Sequence, residues 1–481
     1  MNTPLRRLAS VALVMCLVLI GSATWVQFFQ SDRLDNDSRN VRTLYRALGD
    51  ARGPIVVDGV AVASSVPVDD VFGFQRQYSD PVTYSSITGF FGVTGRTGLE
   101  QAQNGYLSGS SDQLVFSRLR DVFLGRPPEG AAVETTISPA VQEAALRALG
   151  DQEGAIVAIE PSTGRILALV STPGFDPNEL ATHDMRAARS AYETLLTAPG
   201  NPLRSKAYQE RYAPGSTFKL VVAAAALESG RYDASSTLPA PHTYTPPQTS
   251  RGIGNFGGGG CGSDPITLDD SLRVSCNTSF AWLGVDLGAD ALRRQAEAFG
   301  FNTEVTIPML AANSRFPASL DAPQTAQSAI GQFEVQATPL QMAMVSAAIA
   351  NDGTLMTPYL VDTVRAANLS TVRTTEPKVF ARPISASTAR TLTEMMENVV
   401  RSGSARPVQI PGVAVAAKTG TAQSGQQAPH VWFTGFAPAN DPQVAVAVFV
   451  KHGGDARHDE ATGGRVAAPI ARAVIEAVLT S

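Results

Sequence analysis

An uncharged stretch of 19 residues, from Leu8 to Val26, limits what this chain can form more than any other feature of its sequence. An apolar segment of about 20 residues can cross a bilayer as a helix, and a helix satisfies its own backbone hydrogen bonds there. Arg6 and Arg7 precede the stretch, and Asp32 follows it. Because positive charge stays on the cytoplasmic side, the pattern predicts a cytoplasmic N-terminus and an extracytoplasmic bulk.

A cleaved signal peptide is the alternative interpretation of this segment. Gly21, Ser22 and Ala23 would supply the small residues of a cleavage site. The apolar core of a signal peptide is typically about 7–15 residues long, however, and this stretch is longer. We therefore expect an uncleaved anchor and a single-pass protein of the plasma membrane.

The rest of the chain is predicted to fold as two units behind that anchor. The chain has 481 residues, 44% of them hydrophobic and 17% charged, which is enough apolar material for a sizeable core. We expect an anchor over 1–30, a smaller mixed pedestal domain over 31–134 and a larger domain over 135–481. The net charge of −5 argues against nucleic acid as a partner.

The larger domain has predicted strands at both ends and helices between them. Apolar runs at 155–159 and 166–170, separated by a Pro-Ser-Thr-Gly turn, predict a hairpin. Later strands are predicted at 412–417, 431–436 and 443–450, and helices at 216–228, 268–287, 339–351, 390–400 and 466–479. This order indicates an α+β fold, a sheet flanked by helices, rather than alternating βαβ units.

The first string that suggests chemistry is Pro214-Gly-Ser216-Thr-Phe-Lys219. Proline and glycine break the chain before an apolar helix, so Ser216 is expected at the helix N-terminus, where free N–H groups favour negative charge. Lys219 lies three residues on, on the same face. A lysine whose pKa is lowered by burial and a second cation can take the proton of a serine nucleophile. Alone, the pattern is weak, because a serine that only caps a helix has the same signature.

Two further strings strengthen the interpretation. Ser275-Cys-Asn277 comes next along the chain, and Lys418-Thr-Gly-Thr421 follows a run of small and β-branched residues. The chain has five lysines against 33 arginines, so two of five lysines in such strings are informative. The three strings in this order favour a catalytic site over chance.

The last string suggests how a substrate would be held. Lys418 would supply the second cation beside the serine. The Thr419 hydroxyl would bind a substrate carboxylate, and Gly420 would let a substrate backbone approach closely.

Together the three strings resemble the signature set of penicillin-binding proteins and serine β-lactamases. The similarity extends over about 134–479 and is that of a class B transpeptidase domain; it includes Gly154 to Pro173, Thr338-Pro-Leu-Gln-Met-Ala343 and Trp432-Phe-Thr-Gly-Phe436. Gly98-Leu-Glu100 resembles part of the family's pedestal domain. The short pedestal and the cysteine in the second string are closest to the penicillin-binding protein A subgroup. The resemblance implies a central antiparallel sheet flanked by helices.

The resemblance also implies a reaction, that of a serine D,D-transpeptidase that cross-links peptidoglycan stem peptides and is inhibited by β-lactams. Ser216 would attack the carbonyl of the penultimate D-Ala, and Lys219 would accept its proton. Ser275 and Asn277 would relay protons and hold the substrate amide, while the backbone N–H groups of Ser216 and Thr421 would form the oxyanion hole. No metal or cofactor is needed. The implied partners are stem peptides, β-lactams, the membrane, a SEDS-family glycosyltransferase and other cell-wall synthesis proteins.

Two other functions fit the same strings. A D,D-carboxypeptidase or a β-lactamase on this fold would use water where a transpeptidase uses an amine. A non-catalytic scaffold of the cell-wall machinery would keep the fold, although a scaffold has no physical need for Lys219 beside Ser216. A glycosyltransferase domain in the same chain has too little room, because only about 100 residues separate the anchor from the larger domain.

The cysteines predict one disulfide. Cys16 lies inside the anchor, which leaves Cys261 and Cys276 as the only pair in an oxidising compartment. A bond between them would tether the glycine-rich segment 252–262 beside the second string. Two free, buried thiols are the alternative.

A histidine-rich segment, 452–460, has the composition of a metal site. Its glycine-rich, polar sequence and the spacing of His452 and His458 favour a solvated loop instead.

Overall fold

The computed structural model describes residues 2–30, 48–114, 129–425, 427–454, 456 and 461–480. The helix Asn2–Thr24 comes first and continues as a π-helix over Trp25–Phe29. Among the described residues, the segment Arg6–Gln27 is the one helical stretch long and apolar enough to cross a membrane, and the rest of the chain buries none of it. The start of the predicted pedestal, 31–47, lies outside the described residues.

Two large sheets organise the rest of the described chain. Their strands, numbered along the sequence, are β1 Ile55–Val57, β2 Val60–Pro67, β3 Phe74–Tyr78, β4 Ala132–Thr135, β5 Gly154–Ile159, β6 Ile166–Thr172, β7 Val361–Arg365, β8 Thr371–Thr374, β9 Ala416–Ser424, β10 Gln427–Ala437 and β11 Val444–Val450. The longer helices are Pro81–Thr88, Pro139–Leu149, Met185–Thr197, Lys219–Glu228, Leu268–Arg273, Asn277–Leu287, Ala289–Ala298, Ala322–Ala329, Pro339–Ala350, Ala386–Ser402 and Ala468–Thr480.

The first sheet has the order β8-β7-β4-β1-β2-β3, so it combines strands from both sides of the predicted domain boundary. β4 is its centre: Val133 pairs in parallel with Ile55 of β1 and antiparallel with Val364 of β7. Val133 and Thr135 of β4 are buried while Ala132 and Glu134 are less so, as expected for a strand with one face on the core. The predicted boundary between 134 and 135 therefore falls inside a strand whose partners lie on both sides of it.

The second sheet is antiparallel, with the order β9-β10-β11-β5-β6. All residues of β5 and β11 are buried, because helices cover both faces of the sheet. The helix Pro339–Ala350, which is buried on all sides, packs on β5, β10 and β11, and the helices Pro139–Leu149 and Ala468–Thr480 pack together on this sheet. The predicted α+β fold with a central antiparallel sheet flanked by helices is confirmed.

One predicted helix is wrong. The stretch 268–287 forms two helices, Leu268–Arg273 and Asn277–Leu287, separated by a turn. Ser275 in that turn has a φ of 61°, a left-handed conformation that ends the first helix. Cys276 is extended and begins the second helix. The apolar pattern runs through the break, which is why the sequence predicted one helix.

One predicted strand is displaced. The strand expected at 412–417 lies instead at Ala416–Ser424, and Gly412 is in a turn with a φ of 78°. The string that begins at Lys418 looks like loop sequence because it contains glycine and polar residues. It is held in the sheet by pairing with β10, where Lys418 lies opposite Thr434 and Thr421 opposite Val431.

Candidate active site

The turn that carries Ser216 is built by close backbone packing. Residues Gly215–Phe218 form a 3₁₀ turn that leads into the buried helix Lys219–Glu228. Gly215 has a φ of 54°, and its N–H donates to the carbonyl of Gly331 at 3.0 Å. A Cβ on Gly331 would lie 2.0 Å from the Gly215 oxygen, so only glycine fits there. This packing holds Ser216, which is half-buried, at the wall of a cleft.

Lys219 is fully buried, and its amine points at the second string. Its Nζ donates to the Ser275 carbonyl at 2.7 Å and to Asn277 Oδ1 at 2.7 Å, and lies 3.3 Å from Ser275 Oγ. A neutral amine has two N–H bonds and one lone pair. The two short hydrogen bonds account for both N–H bonds, so the lone pair remains available to accept a proton.

Lys418 approaches the same hydroxyl from the opposite side. Its Nζ donates to Ser275 Oγ at 2.8 Å and to the carbonyl of Thr419 at 2.9 Å. The Ser275 hydroxyl therefore lies between two amines. Ser275 holds this position with a left-handed backbone, a conformation that costs free energy for any residue but glycine and is typical of functional sites.

Burial changes the protonation of both lysines. It lowers the pKa of Lys219 well below its ordinary value, and the positive charge of Lys418 lowers it further. Burial lowers the pKa of Lys418 to about 7. Neither lysine forms an ion pair with a carboxylate in the part of the chain that the structure describes. Both effects on Lys219 favour the neutral amine that a serine nucleophile needs as its base.

The third string lies on β9, at the edge of the sheet beside the serine turn. Thr419 and Thr421 face the cleft, while Lys418 and Gly420 point to the opposite side of the strand, as alternation requires. A Cβ on Gly420 would lie 2.9 Å from the carbonyl of Pro214 and 3.0 Å from a methyl group of Thr217. The missing side chain of Gly420 thus makes room for the serine turn, whereas the sequence interpretation assigned that room to a substrate.

The cleft has a volume of about 640 Å³. It brings the predicted site residues together; its walls include Ser216, Ser275, Asn277, Thr419 and Thr421. Sequence reasoning missed several further wall residues, among them Asn255, Ser404 and Arg465. The Ser404 and Thr419 hydroxyls are 2.6 Å apart. No motif marks Ser404 or Arg465, but Asn255 is a lone amide in a glycine-rich run, which is a usable signal.

The glycine-rich segment 252–262 forms one wall of this cleft. The structure joins Cys261 and Cys276 in a disulfide with their Cα atoms 5.6 Å apart. The bond connects the end of that segment to the middle residue of the second string. The cysteine pairing expected from the sequence is therefore the one that the structure contains.

Of the histidine-rich segment, the structure describes residues 452–454 and 456. His452 contacts Ser424 and packs against His430 with ring centroids 4.7 Å apart. Burial lowers the pKa of His430 to about 4. Within the described residues, no group of three or more histidine, cysteine or acidic side chains could hold a metal ion, and His458 lies outside those residues.

Comparison with known families matches both folded parts of the chain. The penicillin binding protein transpeptidase domain matches residues 154–476, and the penicillin binding protein A dimerisation domain matches residues 52–133. The peptidoglycan D,D-transpeptidase PbpA of Mycolicibacterium smegmatis is 44% identical, covering 100% of this chain and 99% of that protein. PbpA of Mycobacterium tuberculosis is 41% identical with the same coverage.

Solved structures show the same similarity in three dimensions. Penicillin-binding protein A from M. tuberculosis, as its ceftriaxone acyl-enzyme complex, superposes with a TM-score of 0.87 at 41% identity, covering 90% of this chain and 100% of that one. The penicillin G acyl-enzyme complex of the same protein gives 0.85 at 42% identity, covering 89% of this chain and 100% of that one.

Proposed function

We propose a mechanism for this chain from the premise that it belongs to the penicillin-binding protein transpeptidases. It matches relatives over nearly their whole length, so the resemblance inferred from the three strings is confirmed. The chain is a serine-type peptidoglycan D,D-transpeptidase that β-lactams acylate. The roles of individual residues are inferred from the geometry of the cleft.

Acylation begins with the proton of Ser216. As Oγ attacks the carbonyl carbon of the penultimate D-Ala, the proton passes to the neutral amine of Lys219. The backbone N–H groups of Ser216 and Thr421 stabilise the developing oxyanion, a contribution of about 3–4 kcal/mol for each donor. The Lys219 ammonium then returns a proton, through the Ser275 hydroxyl, to the nitrogen of the terminal D-Ala. The peptide bond breaks, and D-Ala leaves.

Deacylation reverses these roles. The amine of a second stem peptide attacks the ester carbonyl, loses its proton along the same route, and displaces Ser216, whose oxygen recovers a proton. The product is the cross-link, and the enzyme is unchanged. A β-lactam enters the same first step, but its leaving nitrogen stays attached to the ring-opened adduct and blocks the acceptor.

Three parts of the site hold the donor peptide in this proposal. The hydroxyl groups of Thr419 and Thr421 bind the terminal carboxylate, supported by the charge of Lys418. Asn277 holds the substrate amide with its side chain while its Oδ1 orients Lys219. The edge strand β9 offers backbone groups to an extended stem peptide.

The observation that carries this proposal is the pair of buried lysines on either side of the Ser275 hydroxyl. Incubation of the full-length protein with a fluorescent penicillin, followed by peptide mass spectrometry, is expected to place one adduct on Ser216. Ser216→Ala should abolish labelling, and Ser190→Ala, at an exposed serine on a remote helix, should not. A stable adduct on another residue would overturn the assignment.

The same experiment separates the alternative activities. A transpeptidase adduct persists, whereas a β-lactamase releases hydrolysed penicillin. A synthetic stem peptide with an amine acceptor should yield a cross-linked dimer rather than only the shortened donor of a carboxypeptidase. A scaffold without catalysis would take no label.

The anchor and partners complete the proposal. The helical segment Arg6–Gln27 holds the catalytic domain at the extracytoplasmic face, where stem peptides are found. A SEDS-family glycosyltransferase in the same membrane is the proposed source of the glycan strands. Intact cells should be labelled by a membrane-impermeant penicillin. Labelling only after lysis would show that the catalytic domain lies on the cytoplasmic side. A cross-linker in the membrane should capture the glycosyltransferase.

A further inference from the structure

The helix that begins at Asn277 lacks a cap of its own. Its N-cap residue is Cys276, whose side chain makes no capping hydrogen bond. Ser, Thr, Asp and Asn are the residues that cap helices well, because their oxygen accepts the first free N–H groups. A disulfide-bonded cysteine has no such oxygen.

Asn255 supplies the missing cap from a different part of the chain. Its Oδ1 accepts the N–H of Asn277 at 2.8 Å and of Thr278 at 3.3 Å. Its Nδ2 donates to the carbonyl of Gly259 at 3.1 Å, which closes the glycine-rich segment on itself. One half-buried amide thus joins this segment to the start of the helix.

The segment also holds the side chain that touches the catalytic base. The carbonyl of Gly254 accepts a hydrogen bond from Nδ2 of Asn277 at 3.2 Å. This contact, with the backbone cap beside it, fixes which end of the Asn277 amide faces Lys219. Oδ1 of Asn277 then lies 2.7 Å from Nζ of Lys219.

Ile253 and Gly254 pair with Tyr244 and Thr243, but the exposed stretch 256–260 that follows has little else to hold it in place. Gly257 and Gly258 both have a positive φ, and a Cβ on either would meet nothing within 4 Å. Glycine-rich backbone loses much conformational entropy on ordering, so specific tethers are needed. The tethers are Asn255 at one end and the Cys261–Cys276 disulfide at the other.

We propose that Asn255 is a positioning residue for acylation: by capping the helix at Asn277 from the glycine-rich segment, it holds the Asn277 carboxamide against Lys219. This role rests on the proposed reaction at Ser216. It predicts that a change at Asn255, which makes no hydrogen bond to either lysine, slows the chemical step of the folded protein.

The test measures acylation of the full-length protein by a reporter β-lactam, resolved into the maximal rate constant and the concentration for half-maximal rate. Asn255→Ala removes the cap and is expected to lower the maximal rate about ten- to a hundredfold, since small displacements of catalytic groups have effects of that order. Asn255→Asp keeps the capping oxygen and should stay within roughly threefold of the wild type. Asn255→Gln keeps the amide but moves it, and should resemble Asn255→Ala.

A matched control separates positioning from stability. Asp184 caps the helix Met185–Thr197 by accepting two backbone N–H groups at 2.9 and 3.0 Å, far from the cleft. Asp184→Ala should lower the melting temperature without changing the maximal acylation rate. Asn255→Ala should change the rate at temperatures where circular dichroism shows a folded protein.

Two results would overturn the inference. One is a wild-type maximal rate in both Asn255→Ala and Asn255→Gln. The other is an Asn255→Asp variant as slow as Asn255→Ala, which would mean that capping is not what matters. Should the alanine variant fail to fold, the Gln and Asp pair alone decides. Absence of any adduct on Ser216 in the wild type would instead contradict the proposed function.

Discussion

The pedestal and the catalytic domain both bury charge, and they do it in opposite ways. In the pedestal, Glu100 pairs with Arg52 at 2.8 Å and with Arg76 at 2.6 Å, and all three side chains are at most 2% exposed. In the catalytic domain, Lys219 and Lys418 are both 0% exposed and meet at one hydroxyl, without an ion pair in the described residues.

The sign of the neighbouring charge decides what burial does. Burial alone would raise the pKa of the Glu100 carboxyl, but Arg76 and Arg52 hold it below its ordinary value, so the pedestal cluster stays ionised. Burial lowers the pKa of both lysines instead. Opposite charges therefore keep the buried groups of the pedestal ionised, whereas like charges favour the neutral amine that the proposed base needs.

The largest effect is expected from Lys219→Arg in the catalytic domain. A guanidinium cannot give up its proton at usable pH, so the acylation rate should fall about a thousandfold or more, within the range of general-base effects. Labelling time courses with a fluorescent penicillin measure it. Lys378→Arg, at an exposed lysine, is the control and should label normally. Near-normal acylation of the Lys219 variant would show that the base lies elsewhere.

Removing the negative charge of the pedestal should affect stability rather than rate. Glu100→Gln leaves two buried guanidinium groups unpaired, and the free energy of unfolding should fall by about 3–5 kcal/mol. Urea unfolding measures this. Glu143→Gln breaks an exposed pair with Arg147 and should cost at most about 0.5 kcal/mol. Slow acylation by folded Glu100→Gln protein would break the distinction between the two regions.

The pH dependence of acylation sharpens the account of the like-charge pair. Acylation needs the neutral amine of Lys219, so the rate should rise as pH passes upward through its pKa, which burial and Lys418 hold far below the ordinary lysine value. Lys418→Met removes the second cation and should shift the pH at which the rate rises upward by about one unit. Lys418→Arg keeps a cation there, so its rise should occur at a lower pH than that of Lys418→Met. Both variants are expected to acylate more slowly, so the readout is the pH at which the rate rises and not the rate itself. Identical positions in the two variants would contradict the coupling.

The smallest effect is expected from reducing the Cys261–Cys276 bond. The chain between them is short, with a sequence separation of 15. Opening such a loop restores conformational entropy to the unfolded chain and lowers the free energy of unfolding by roughly 3 kcal/mol at most. Acylation should slow severalfold, because Asn255 still holds the other end of the segment, and the pedestal should be unaffected. Peptide mapping under non-reducing conditions checks the bond. Two alkylatable thiols at these positions in the native protein would contradict the disulfide.

Local strings were enough to predict much of the site. Ser216 and Lys219 share one turn of chain, so their relation follows from helical spacing. The cysteine pair followed from counting in an oxidising compartment. The break at Ser275 could not be predicted, because the apolar pattern continues through it and the contacts of Ser275 with the two lysines join residues distant in sequence.

By itself, the sequence determined the apolar segment, the three strings, the family and the class of fold, because each depends on residues near one another or on a pattern of whole elements. Tertiary structure alone decided the edge position of Lys418, the space that Gly420 leaves for the serine turn, and the cap that Asn255 provides to a helix that starts at Asn277. These are contacts between segments far apart along the chain. Their geometry depends on packing, which no single segment encodes.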